Sequence, residues 1–321
     1  MSTALTQSDS AAPKVFISGA NGHLGQKLIK ALNGYRVIAL VRSNSALAKL
    51  NAQVDQQGLN WVEVVQVDFN DTAQFAEVIK VCDFGIHLIG IIKESKTQSF
   101  EATHIILMKA LIAALGKVNL SQTIRLYYLS LVGASAISTN PCFKTRAEAE
   151  QDLLAAVPQA CIIRIPMVLG EGDYASFALK KRAMAKTAFS FRSSSLEQPI
   201  YAGDIIKLIS FDLKRTKSHW LGIHSLAGPV SLSRKALQQQ ANTLLNQQAR
   251  LISLPLILGK FIAAILERML ARPPMTRAML DVLDHDDHID ISELKTKLGF
   301  ELTPLETMLR YVLIEPNASV N

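Results

Sequence analysis

The sequence is poor in the residues that mark several common chemistries. Its 321 residues hold three cysteines, Cys82, Cys142 and Cys161, with no CxxC pair and no histidine cluster beside them. A disulfide framework and a cysteine-ligated zinc site are thereby excluded, and free thiols are expected. The first thirteen residues, MSTALTQSDSAAP, have neither a basic start nor an apolar run. They read as a flexible tail, and a cytoplasmic location is expected. The most apolar stretch, Leu254 to Leu270, is broken by Pro255, Lys260, Glu267 and Arg268 within the minimum length of a bilayer span, so it is not a transmembrane helix. Basic runs such as Lys180-Lys181-Arg182 and Lys214-Arg215-Thr216-Lys217 come without a nucleic-acid-binding motif and read as solvated helix faces, so no nucleic-acid partner is expected. The run His285-Asp286-Asp287-His288 lies between predicted helices and lacks two histidines at i, i+4 spacing, so no metal is expected there.

What is present is apolar bulk and a rhythm. Hydrophobic residues make up 49% of the chain, enough for one large domain or two smaller ones. The net charge of +7 suits a phosphate-rich ligand as well as an anionic surface. From residue 14 to 170, short β-branched runs alternate with longer segments of three- and four-residue apolar spacing. Such alternation predicts a parallel, doubly wound α/β sheet buried on both faces. Strands are predicted over 15–18, 36–41, 61–67, 84–89, 126–131 and 161–166, with helices over 26–32, 45–56, 72–81, 100–115 and 146–156. Residues 171–321 read as a smaller, mostly helical portion on the substrate or partner side, interleaved with the first. Helices are predicted there over 202–213, 231–245, 255–270, 277–283, 291–298 and 304–311.

Directly after the first strand comes Gly19-Ala20-Asn21-Gly22-His23-Leu24-Gly25, followed by an amphipathic run. In this order Gly19 takes a tight turn, Gly22 lets the backbone approach a diphosphate, and Gly25 permits close packing of helix on strand. The helix N-terminus then offers free N–H groups and a positive dipole to the anion. The pattern predicts a Rossmann dinucleotide site. An acid at the end of the second strand would accept from the adenosine ribose hydroxyls of NAD(H). The chain has Arg42 there instead, which can grip a ribose 2′-phosphate, so NADP(H) is favoured over NAD(H); a plain surface arginine is the alternative. Asp68, followed by Phe69, ends the third strand, where its carboxylate either meets the adenine edge or caps the next helix.

The Gly-x-x-Gly-x-x-Gly turn, the Val67-Asp68-Phe69-Asn70-Asp71 strand end and His87-Leu88-Ile89-Gly90 resemble the extended and atypical short-chain dehydrogenase/reductases. Ile86 to Ile92, Ser99-Phe100-Glu101-Ala102-Thr103-His104, Arg272 to Arg277 and Leu298 to Glu306 narrow the resemblance to the branch holding the dehydrogenase-like accessory subunit of respiratory complex I and its bacterial relatives. It covers nearly the whole chain after the tail. It implies cofactor contacts from Gly19, Asn21, Gly22, His23, Leu24, Gly25, Arg42, Asp68, Phe69, Leu88, Ile89 and Gly90. Ser130, at the end of the fifth strand, is implied to line the nicotinamide pocket, and the turn at Pro166 to meet the carboxamide, unless the strand merely ends there.

Active members of that family carry a Tyr-x-x-x-Lys pair on the helix after the fifth strand. Matching this helix places Cys142 at the tyrosine and Arg146 at the lysine. A thiol reaches less far than a phenol, whereas arginine keeps the donors to hold the nicotinamide ribose. Cofactor binding is therefore carried over and the usual chemistry is not. Tyr127 or Tyr128 as a relocated acid, and Cys142 as a thiolate beside Arg146 and Lys144, are weaker readings than inactivity. Asp204 is expected to cap the helix that follows it. The apolar segment from Leu251 to Leu270 must be buried in the core, close over a lipophilic molecule such as a quinone or isoprenoid, or dock on a membrane-associated complex. The expected role is structural, assembly-related or quinone-linked, in the cytoplasm or at the inner face of a membrane. An NADPH-dependent reductase or epimerase and an NADP(H)-sensing regulator are the rivals.

Overall fold

The computed structural model describes residues 12–314. The expected tail lies outside the described residues except for its last two positions. The chain opens with β1 (Lys14–Ser18), α1 (His23–Ala31), β2 (Arg36–Val41), α2 (Asn44–Gln56), β3 (Val62–Gln66), α3 (Thr72–Ile79) and β4 (Phe84–His87). A π-helical stretch, Glu101–Ile106, runs into α4 (Leu107–Lys117), followed by β5 (Arg125–Leu131), α5 (Pro141–Ala156) and β6 (Ala160–Ile165). Then come β7 (Val168–Leu169), α6 (Tyr174–Met184), β8 (Thr187–Phe191), β9 (Leu196–Glu197), β10 (Ile200–Tyr201), α7 (Ala202–Leu213) and β11 (Gly222–Ser225). The chain closes with β12 (Leu232–Ser233), α8 (Arg234–Leu244), β13 (Arg250–Leu254), α9 (Leu256–Met269), α10 (Arg277–Leu283), α11 (Ser292–Leu298) and α12 (Leu305–Leu313).

The central sheet has seven parallel strands in the order β3-β2-β1-β4-β5-β6-β11. The strand order reverses between β1 and β4, which opens a crevice at the carboxyl ends of those strands. Both sheet faces are apolar because helices cover both. One face packs Leu28 and Ile29 of α1, Leu50 of α2 and Ile205 and Ile209 of α7. The other packs Phe75 and Ile79 of α3, Met108 and Leu111 of α4 and Leu153 of α5. A third cluster joins Leu179 of α6, Leu237 of α8 and Met308 and Leu309 of α12. Residues after 171 thus supply both the seventh strand of the sheet and a helix on its first face.

The structure departs from the sequence expectations at several boundaries. α1 begins at His23, three residues early, and α5 begins at Pro141 because Asn140 caps it, its Oδ1 accepting from the Cys142 N–H at 2.8 Å. α6 and the parallel β8–β13 pair were not anticipated. Asp204 does not cap α7: it sits inside the first turn, and its carboxylate accepts the Thr303 N–H and hydroxyl at 2.8 Å each, tying down the C-terminal segment.

Candidate functional site

The glycine turn joins β1 to α1 at the switch point. Gly19 has φ +83°, a left-handed conformation that favours glycine, and its carbonyl accepts the Gly22 N–H at 3.0 Å. A Cβ on Gly25 would lie 2.7 Å from the Ala20 Cα, so only glycine lets α1 pack this closely. Gly22 is the N-cap of α1 and offers no side-chain acceptor, which leaves the first N–H groups of the helix open to an anion.

From this turn a groove of roughly 1070 Å³ runs over the ends of β1, β2, β3 and β4. Gly19, Asn21 and Gly22 line its middle, and Leu88, Ile89 and Gly90 follow β4 along it. Arg42, Ser43, Ser45 and Lys49 form the wall beyond β2, and Asp68, Phe69 and Asn70 the wall beyond β3. Arg42 is exposed and has no ion-pair partner among the described residues. Asp68 Oδ1 accepts the Asn70 N–H at 2.9 Å, a local turn; the cap of α3 is Asp71, whose Oδ1 accepts from Ala73 and Gln74. Sequence reasoning missed Ser45, Lys49, Thr97, Gln98 and Thr103, which also line the groove. The position of Lys49 one turn inside α2 was the readable signal.

The remaining expected residues lie outside that groove. His23 is exposed on the first turn of α1, while Leu24 packs against the core beside buried Gly25. Pro166 is buried just after β6. Ser130 is buried on β5, and its hydroxyl has no hydrogen-bond partner. Arg146 is buried on α5 and donates from Nη1 to the Tyr128 hydroxyl at 2.9 Å and to the Leu129 carbonyl at 3.2 Å. Its guanidinium fills the space that a Gly90 side chain would need.

Around Arg146 the histidines form a clamp that sequence reasoning did not foresee. The Ile91 N–H donates to His104 Nε2 at 3.2 Å, so Nδ1 carries the proton and donates to Thr145 Oγ1 at 2.8 Å. Thr145 in turn donates to the Pro141 carbonyl at 2.8 Å, and Cys142 Sγ donates to the Ile91 carbonyl at 3.5 Å. The loop after β4 is thereby bonded to α5 from both sides. Burial pushes the Cys142 thiol up to about 11, against the opposing pull of Arg146. It is fully buried, and the thiolate reading has no support. His87, beneath, shares a 2.7 Å hydrogen bond between Nδ1 and Ser18 Oγ. Tyr127 donates to Asp212 Oδ2 at 2.6 Å inside the core and faces no groove.

The acidic and histidine run is a packing loop: His285 lies edge-on to Phe143 at 5.4 Å and bonds Asp287, and Asp286 pairs with Arg192. α9 is not core, for only Gly259 and Ala263 of its residues are buried. Beside it a second cleft of roughly 580 Å³ is lined mainly by polar and charged groups, among them Glu94, Lys96, Lys260 and Arg277.

Residues 19–160 match the family described as NAD(P)H-binding. The match covers the Rossmann half of the chain, in keeping with its resemblance to the atypical short-chain dehydrogenase/reductases. A nicotinamide dinucleotide is the ligand class of the matched family. The chain is 27% identical over 267 residues to the mitochondrial NADH dehydrogenase [ubiquinone] 1 alpha subcomplex subunit 9 of Arabidopsis thaliana, covering 80% of this chain and 64% of that one. It is 25% identical to the 40 kDa subunit of mitochondrial NADH-ubiquinone oxidoreductase of Neurospora crassa, over 89% of this chain and 74% of that one. The chain thus spans less than two thirds of the Arabidopsis relative. In fold it is similar to UDP-glucuronic acid 4-epimerase of Bacillus cereus bound to UDP-glucuronic acid and NAD, with TM-score 0.68, 17% identity and coverage of 94% and 98%. UDP-glucose 4-epimerase of Bifidobacterium longum, bound to NAD+ and UDP, gives TM-score 0.70 at 15% identity, over 94% and 97% of the chains. Among the described residues no helix is long and apolar enough to cross a membrane.

Proposed function

We propose that this chain is an atypical short-chain dehydrogenase/reductase that holds NADP(H) as a bound ligand and serves an accessory, assembly or quinone-linked role at a membrane-associated complex. The observation that carries the phosphate preference is the wall beyond β2: Arg42 and Lys49 beside the hydroxyls of Ser43 and Ser45, with no acid on that wall. Two cations and two hydroxyls suit a ribose 2′-phosphate, which an acid there would repel. Gly19, Asn21 and Gly22 with the α1 N-terminus would take the diphosphate, Asp68 and Phe69 the adenine side, and Leu88 to Gly90 the far side. When bound, the dinucleotide supplies a hydride; the chain supplies binding and shielding.

The accessory reading is supported by α5. A phenol and an ammonium at positions 142 and 146 would exchange protons with a substrate. Here a fully buried thiol with a raised pKa is bonded to Ile91, and a guanidinium is turned onto Tyr128. The similarity to the Arabidopsis and Neurospora subunits supports a place beside a membrane complex. The test is NADPH consumption by the purified protein with soluble quinones and with UDP-sugars. The structural and assembly reading expects binding without turnover, and the quinone-linked one oxidation by quinones alone; interconversion of a sugar nucleotide would overturn both.

A further inference from the structure

α9 is amphipathic in the inverted sense. The side that meets the protein carries the small residues Gly259 and Ala263, and a Cβ on Gly259 would lie 2.9 Å from the Phe191 ring, so the helix is held close through them. The side that meets solvent carries the large residues. Ile257, Phe261, Ile265 and Met269, spaced at i, i+4, are 79%, 65%, 44% and 73% exposed. Leu258 and Ile262 widen this into a continuous stripe of a width that a water-facing helix of a monomer rarely shows.

The charges on α9 and its C-terminal end that have no ion-pair partner among the described residues are cationic. Between residues 250 and 272 Glu267 is the single acid, and it is neutralised by Arg277 at 2.9 Å. Asp281 is likewise paired with Lys260 at 2.5 Å. Arg268 and Arg272 at the C-terminal end of α9 are exposed and have no ion-pair partner among the described residues. Lys96 is exposed beside them, its backbone N–H donating to the Ala271 carbonyl at 2.9 Å.

We infer that α9 lies in the interface of a bilayer carrying anionic headgroups, its apolar stripe among the acyl chains and Arg268, Arg272 and Lys96 at the phosphates. A short helix with a broad apolar face, unpaired arginines at its C-terminal end and no unpaired acid of its own has the composition of an interfacial anchor. An acidic end would suit a cationic protein; this end does not. The inference names the lipid itself, where the function proposed above names a membrane complex, and it does not depend on what fills the groove.

The test is flotation of the full-length protein with vesicles of phosphatidylcholine alone and of phosphatidylcholine mixed with phosphatidylglycerol, for wild type, Phe261→Ser/Met269→Ser and Arg268→Gln/Arg272→Gln. All altered side chains are exposed, and circular dichroism with NADPH titration verifies that the variants fold. Wild type floats with the anionic vesicles; the apolar variant binds them about tenfold more weakly or worse. The arginine variant loses the preference for anionic over neutral vesicles. No flotation of wild type, flotation indifferent to Phe261→Ser/Met269→Ser, or a dimer on gel filtration that this substitution dissolves would each overturn the inference. Flotation without NADPH binding would leave it standing while the proposed function failed.

Discussion

Arg146 donates to the Tyr128 hydroxyl at 2.9 Å while its guanidinium lies over Gly90, so one side chain on α5 locks the end of β5 to the loop after β4. Its Nε has no partner, and neither has the nearby Ser130 hydroxyl. Gly90→Ala puts a methyl group inside the guanidinium and forces Arg146 out of both of its hydrogen bonds. The expected loss is about 1–3 kcal/mol of stability, read as a lower urea midpoint at unchanged slope. A midpoint equal to wild type would show that Arg146 is free to move.

The histidines under Arg146 give the fold a pH signature. Burial first and Arg146 second hold His87 down to about 3 and His104 down to about 2, so both are neutral in the folded chain. On unfolding each protonates near its ordinary value of about 6.5. The unfolded state therefore binds more protons, and stability is lost as pH falls from about 6.5 toward 3, on the order of 1.4 kcal/mol per pH unit for each histidine. His104→Gln should make the decline between about pH 6 and pH 4 shallower by that amount. An unchanged slope in denaturant titrations would assign the pH dependence to other groups.

At the phosphate turn, the Cβ of Gly25→Ala would meet the Gly19 carbonyl oxygen at 2.5 Å and the Ala20 Cα at 2.7 Å. These are backbone atoms and cannot swing aside, so α1 must shift. We expect roughly 1–3 kcal/mol of destabilisation together with a cofactor affinity at least about tenfold lower, because the helix N-terminus moves with the shift. Thermal unfolding and nucleotide titration on the same sample check both.

Asp204→Ala removes two hydrogen bonds to Thr303 from a fully buried carboxylate and leaves the Thr303 N–H without its acceptor. Each bond to a charged group is worth about 1.5–3 kcal/mol. The expected result is faster proteolysis after residue 300 and a lower midpoint, with α1 to α5 still protected. Uniform loss of protection across the chain would show that the C-terminal segment does not open on its own.

The Rossmann half was legible because its strands are β-branched runs buried on both faces and its glycines stand at fixed offsets from β1. Arg36–Val41, Ala202–Leu213 and Arg277–Leu283 were located to the residue. What was not legible depends on distance or on exposed apolar residues. α6 starts with a readable cap, Asp173 accepting the Ser176 N–H, but its exposed Tyr174, Phe177 and Met184 blur the apolar period. β8 pairs with β13 across more than fifty residues, which no local pattern encodes. Of the site, the groove walls at Gly19, Arg42, Asp68 and Leu88 to Gly90 were readable. The inward turn of Arg146 was not, since the choice between a ligand ribose and the Tyr128 hydroxyl is made by packing of α5 on β5.

The measurement that bears most directly on the central claim is calorimetric titration with NADPH and with NADH, on wild type and on Arg42→Ala. The account predicts tighter binding of NADPH, and a loss of about 1.5–3 kcal/mol for NADPH alone in the variant, which is roughly ten- to hundredfold in affinity. Equal affinity for the two nucleotides, an Arg42→Ala protein that still prefers NADPH, or no binding of either to the folded chain would contradict it.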